Sequence, residues 1–261
     1  MKTTLLFSSL LLIVAIVVGC SDDVIKPDPC AGVVATSADF TMKEMYEDFA
    51  EPIETDTSLS WNPVEFSAKY EADEYEWSVG DDDRTWRTKS FRLNFIGFEG
   101  NVNVRLIARR NTINKQCTPD DDGIDTVAKV LTITNEPSIL GSYRGANIEN
   151  PTDSFTVTVR RTNYRGQDWF EIINMNKGCY DTTSGSVMYV NIGHKALRFT
   201  GFQSGHSNGT NRETACWDPK GMAQLNPDSD HILITYSVID QSQEPKNRKI
   251  RRDFTFKGER I

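Results

Sequence analysis

Val102-Asn103-Val104-Arg105-Leu106-Ile107-Ala108 is the stretch that decides the fold class. Val102, Val104, Leu106 and Ala108 share one parity, and Asn103, Arg105 and Ile107 the other. That is the period of two expected of a strand with one buried face. Working outward, short β-type runs recur at 59–61, 75–79 and 90–95. A rougher pattern follows at 127–133, where Val127, Val130, Leu131 and Ile133 carry the apolar positions. Gly, Asp, Asn and Pro clusters separate these runs, as they separate the strands of β domains. Residues 38–50, with Phe40, Met42, Met45, Tyr46 and Phe49, fit either a short helix or a first strand and a turn.

Asn135-Glu136-Pro137 reads as a linker, and beyond it a second series begins. Phe155, Val157 and Val159 alternate with Thr156, Thr158 and Arg160, and further runs lie at 169–173, 187–192, 196–199, 231–238 and 250–256. With no long helical pattern between them, the expectation is an all-β chain. Its first part, 38–136, would be a β-sandwich, and its second, 137–261, an antiparallel β-barrel or a second sandwich.

The 261 residues carry 29 Lys and Arg against 37 Asp and Glu, a formal charge of −8. An acidic chain of this kind is a poor match for a phosphate backbone, so no nucleic-acid partner is expected. Three histidines leave little material for a His-based zinc centre. Lys2 followed by the uncharged apolar run to Val18 has the form of a secretory signal peptide over 1–19. The polar, proline-bearing residues after it make 20–37 a tether. Setting Cys20 aside leaves Cys30, Cys117, Cys179 and Cys216, an even number in an exported chain. Two fall on each side of residue 137, which pairs Cys30 with Cys117 and Cys179 with Cys216.

The candidate chemistry is sparse. Gly205-His206-Ser207-Asn208-Gly209 satisfies the nucleophile-elbow pattern, but no helix is legible after it, so it reads as a hairpin loop. Asp81-Asp82-Asp83 and Asp120-Asp121-Asp122 lack EF-hand spacing and read as turn formers, with Ca2+ the one ion such loops could take. No catalytic residue, resident metal or other cofactor is expected. Trp77 and Trp169 fall in strand runs and read as core, whereas Trp86 and Trp217 lie in polar loops and are the ligand-binding candidates. The basic run 246–252 reads as a solvated turn and edge strand.

Three resemblances add to this. Val17-Val18-Gly19-Cys20 resembles the lipobox of bacterial lipoproteins, and the Ser21-Asp22-Asp23 that follows is similar to the surface-export signal of Bacteroidota lipoproteins. This implies a lipid anchor on Cys20 and a protein exposed on the surface of the outer membrane. Tyr75-Glu76-Trp77-Ser78-Val79-Gly80-Asp81, with the later strand at 102–108, resembles the PKD domain, an Ig-like sandwich of about a hundred residues. Asp82 and the cysteine-bearing insertion 112–123 depart from that pattern. Gly141-Ser142-Tyr143-Arg144-Gly145 with the strand at 155–159 looks like the calycin, lipocalin-like C-terminal domains of such lipoproteins. The resemblances imply a non-enzymatic protein that binds an extracellular ligand, a glycan first, through its C-terminal β domain. A lipocalin-like carrier of a small apolar ligand is the alternative, as is a structural or adhesion subunit working with other surface lipoproteins.

Overall fold

A computed structural model of the chain describes residues 28–45, 52–164, 167–175, 190–200, 216–226, 230–240 and 250–261. Sixteen strands run through them. β1 (Phe40–Glu44), β2 (Ile53–Glu54), β3 (Thr57–Leu59), β4 (Val64–Ala68), β5 (Glu74–Val79), β6 (Ser90–Leu93), β7 (Gly100–Arg109) and β8 (Ile124–Thr134) belong to the first half. β9 (Gly141–Asn147), β10 (Phe155–Tyr164), β11 (Gln167–Ile173), β12 (Val190–Ile192), β13 (Ala196–Thr200), β14 (Cys216–Leu225), β15 (His231–Asp240) and β16 (Ile250–Arg260) form the second. The all-β expectation is met.

The first half is a sandwich of two four-stranded sheets, ordered β2-β1-β4-β6 and β3-β8-β7-β5. All its pairings are antiparallel except that of β3 with β8. Residues 40–44 therefore resolve as a strand, and 46–51 lie outside the described residues. The alternation of 102–108 is borne out: Val104, Leu106 and Ala108 are fully buried while Asn103 and Arg105 face solvent. They pack with Phe40, Phe66, Trp77 and Leu131 into one core between the sheets. The rough pattern of β8 has a physical cause in Lys129. It stands on the inward parity with Leu131 and Ile133, and its amine reaches out to Asp39 Oδ1 at 2.8 Å and donates to Phe40 O. A long stem can cover the core in this way while its charge finds a partner at the rim.

The second half is one eight-stranded antiparallel sheet, ordered β11-β10-β9-β16-β15-β14-β13-β12. Consecutive strands are neighbours except β11 and β12, and β9, the first, also pairs with β16, the last. The sheet curls until its edges β11 and β12 touch, with no ladder between them among the described residues. Such a circuit is that of an up-and-down barrel opened along one seam. Val157, Leu197, Phe199, Ile234 and Phe256 fill its concave side. The close approach of the two backbones in the β9/β16 ladder depends on Gly145, where a Cβ would come within 2.0 Å of Lys257 O.

Two strand expectations need correction. The basic stretch ending at Arg252 leads into β16, which lies between β9 and β15 and is no edge strand. Trp217 lies in β14, not in a loop; the register slips between Trp217 and Lys220, around Pro219. A proline cannot donate to the ladder, and a bulge is where a strand tolerates it. Residues 205–209, with Ser207, and Cys179 are outside the described residues, as are Cys20 and the rest of 1–27.

Candidate functional site

The two halves meet at the end of the sandwich where β1, β3 and β8 finish. There Ser60 N donates to Thr134 O at 2.9 Å, and Asn62 N closes a turn on Leu59 O at 3.1 Å. The turn leaves Asn62 buried and Trp61 outside. Asn62 Nδ2 donates to Glu44 Oε1 at 3.0 Å and to Ile192 O at 2.9 Å, which commits its side chain to the interior. Glu44, only 2% exposed, is the hub. Its Oε1 also accepts Leu59 N at 2.8 Å and Ser58 Oγ at 3.2 Å, and its Oε2 accepts His194 N at 2.7 Å. Four donors from both halves converge on one carboxylate, which is how a buried charge can be tolerated without a cation. Leu59 completes the joint by packing into the core of the second half. His194 Nδ1 is buried with no hydrogen-bond partner among the described residues, and burial lowers its pKa below the ordinary 6.5.

Trp61 emerges from this rigid base. It is 42% exposed and stacks on Phe170 of β11, ring centroids 6.4 Å apart and planes inclined by 28°. On β10, directly opposite Phe170, Arg161 lays its guanidinium 5.6 Å from the Phe170 ring. Its Nη2 donates to Asn135 O at 3.1 Å. Asn135 in turn accepts from Ser60 Oγ at its Oδ1, and its Nδ2 donates to Glu99 Oε2 at 3.3 Å. Beyond Glu99 the 95–98 turn projects Ile96, 79% exposed, and Phe98, 44% exposed. Gly97 at φ +78° is the left-handed residue that lets this turn close. β3, β8 and β7 are successive neighbours, so Ser60 and Glu99 stand roughly 10 Å apart across Asn135. The result is a polar strip of amide, carboxylate and guanidinium between two exposed aromatic margins.

Neither tryptophan singled out from the sequence belongs to it. Trp86 is half-buried. Its ring stacks on Phe91 at 4.6 Å under the Arg84 guanidinium at 5.1 Å, and its carbonyl accepts Trp77 N at 2.9 Å. It covers the open side of the sandwich core and is not the freely exposed ring that a polar loop implies. Trp217 is on a strand away from this joint, paired with Ile239. Trp61 falls at the end of the run 59–61 that reads as a strand. The signal that could have found it is the turn chemistry of Ser60-Trp61-Asn62-Pro63, which ejects the ring between two committed polar neighbours.

The remaining candidates have local roles. Cys30 and Cys117 are joined, Cα atoms 5.3 Å apart. Cys216 opens β14, and its expected partner Cys179 falls outside the described residues. Asp82 is held by Arg84, and hydrogen bonds from that guanidinium lower its pKa to about 2. Asp121 accepts Thr36 N at 2.8 Å and Gly123 N at 2.9 Å, and Asp122 accepts Ile124 N at 3.0 Å. Among the described residues no three His, Cys, Asp or Glu side chains gather to hold a metal ion. Trp77 is core, as expected.

At the opposite end of the joint, Arg260 plugs the base of the curled sheet. Its Nη1 donates to Leu140 O at 2.8 Å, and its Nη2 donates to Ser138 O and lies 3.1 Å from Tyr143 Oη. The guanidinium covers the Tyr143 ring at 5.3 Å, while burial pushes the Tyr143 hydroxyl pKa up to about 12. Nε lies 3.2 Å from Asp230 Oδ1, close enough for charge attraction but too poorly aligned for a hydrogen bond. No family model, curated protein or solved structure matches the chain.

Proposed function

We propose that this chain is a lipid-anchored outer-membrane surface protein that binds an extracellular glycan without acting on it chemically, at the joint between its two halves. One observation carries the reading: Trp61 is held exposed and stacked on Phe170, beside the polar strip of Asn135, Glu99 and Arg161 and across from Phe98. Sugar rings present an apolar C–H face and a rim of hydroxyls. An aromatic plate supplies the first contact and fixed amides and carboxylates the second. The lipobox-like Val17-Val18-Gly19-Cys20 supports the anchor. The binding test is affinity electrophoresis of residues 21–261 through gels cast with a panel of neutral and acidic polysaccharides. At least one polysaccharide should retard the protein, and Trp61→Ala should abolish the retardation while circular dichroism stays unchanged. Retardation that survives Trp61→Ala and Phe98→Ala, or none with any polysaccharide, would sink the reading. Labelled palmitate incorporated by the full chain but not by Cys20→Ser tests the anchor separately.

A second reading is a carrier of an apolar ligand: the pairing of β9 with β16 supports an enclosing sheet, and the ligand would have to displace side chains that fill its concave side among the described residues. It predicts a lipid in organic extracts of the purified protein, and mass spectrometry of those extracts decides it. An adhesion or assembly subunit would give neither retardation nor lipid.

A further inference from the structure

The outer face of the eight-stranded sheet carries a groove of about 440 Å³, between the β9/β16 ladder and the turn after β9. Two cross-strand rows form it. In one, Glu259 of β16 stands between Arg144 of β9 and His231 of β15, with His231 Nε2 2.8 Å from Glu259 Oε1. In that row Glu259 is engaged by His231, and Arg144 Nη1 reaches Thr156 Oγ1 on the other side. In the next row, Lys257 stands between Ala146 and Leu233, and Ile148 and Pro151 rise as an apolar wall. Ile148 is 58% exposed. Among the described residues Lys257 has no ion-pair or hydrogen-bond partner, and its neighbours in the row are aliphatic.

The wider field has the same sign. Residues 137–261 hold 16 Lys and Arg against 13 Asp and Glu, whereas residues 1–136 hold 13 against 24. The chain's acidity thus resides in its first half, and Lys257 lies in the half with positive balance. No Phe, Tyr or Trp among the described residues lines the groove, so it lacks the broad plate a sugar ring would stack on. An uncompensated ammonium beside an aliphatic wall matches a different chemistry.

We propose that this groove binds an aliphatic carboxylate, its head on Lys257 Nζ and its hydrocarbon part along Ala146, Ile148 and Pro151. The site is separate from the aromatic joint and independent of it. Titration calorimetry on residues 21–261 with octanoate, acetate and octyl glucoside tests it. Octanoate should bind at least tenfold more tightly than acetate, because only octanoate covers the wall. It should also exceed octyl glucoside at least tenfold, because only octanoate carries the charge. Lys257→Gln should bring octanoate down to the octyl glucoside level, Ile148→Ser should bring it toward acetate, and Glu259→Gln should not weaken it. All three side chains are at the surface, so the fold is not at stake. Equal affinity for octanoate and octyl glucoside would reduce the groove to an apolar patch. Equal affinity for octanoate and acetate would leave an adventitious ion only. Octanoate binding that Lys257→Gln leaves unchanged would place the ligand elsewhere. Each of these three outcomes overturns the proposal.

Discussion

A tryptophan's meaning here is set by what its neighbours in sequence are already doing. Trp86 sits on Phe91 and under Arg84, so its truncation removes packing over the sandwich core. Trp86→Ala should lower stability by about 2 kcal/mol, below the cost of a fully buried tryptophan, and leave polysaccharide retardation intact. Denaturant titration alongside the gel assay checks both halves of that statement. Trp61 should behave in the opposite way, with binding lost and stability nearly unchanged. Glu44 is the single residue on which most depends. Glu44→Ala leaves Leu59 N and His194 N without their acceptor and removes one of two acceptors from Asn62 Nδ2 and from Ser58 Oγ, and buried donors left unmet cost roughly 1 to 3 kcal/mol each. Partial relief by entering water sets the expected loss at about 3 kcal/mol in urea unfolding. The alternation at 102–108 was readable because its parity is clean, while the role of Glu44 was not. Nothing local distinguishes a glutamate ending an alternating strand from an exposed one until β3 and the 193–194 turn arrive beside it.

Among the elements, the runs that stand clear of turn residues were legible, and those that are short or interrupted by proline were not. β4, Val64-Glu65-Phe66-Ser67-Ala68, alternates cleanly yet is short and opens directly after the Asn62-Pro63 turn, and β14 contains Pro219. Both strands exist because their neighbours pair with them, a tertiary effect that outweighs local preference. The two sheets of the sandwich are clamped at the end remote from the joint by Asp39, whose carboxylate meets Lys129 and Lys69, each at 2.8 Å. Hydrogen bonds from these two lysines bring its pKa from 3.8 to about 2. A carboxyl whose pKa is depressed in the folded state stabilises the fold fully above its unfolded value, near pH 4, and loses that contribution as pH falls through about 2. Because Asp39 is partly exposed, screening leaves about 1 kcal/mol of the effect. Unfolding free energies from urea titration at pH 6 and pH 2 should therefore differ less for Asp39→Asn than for the parent chain, by about that amount.

For the whole molecule, the joint decides whether the two halves move as one. Leu59 reaching into the second core and Glu44 accepting from both sides make the halves a single mechanical unit on this geometry. His194 gives the joint a pH dependence whose sign follows from burial. Its folded pKa lies below the unfolded 6.5, so the unfolded chain takes up the proton first, and stability falls as pH drops below about 6.5. The melting temperature should decline between pH 7.5 and pH 5 more steeply for the parent than for His194→Gln, with the difference read by calorimetry at matched ionic strength. The all-β class and the change of sheet near residue 137 could be read in advance, since both rest on parity and turn residues. The circular order of the second sheet could not, because the pairing of β9 with β16 joins strands more than a hundred residues apart.

That pairing also dictates an order of assembly. The sandwich has all its strands by Thr134 and can close while the rest of the chain is still being made. The second sheet has no such freedom, for β9 waits for β16, and Tyr143 stays uncovered until Arg260 arrives. Through that interval the apolar faces of β9 and β10 lie open beside a finished sandwich. The joint around Glu44 then offers the emerging strands a surface already folded on one side, so the first half serves as the template on which the second is completed.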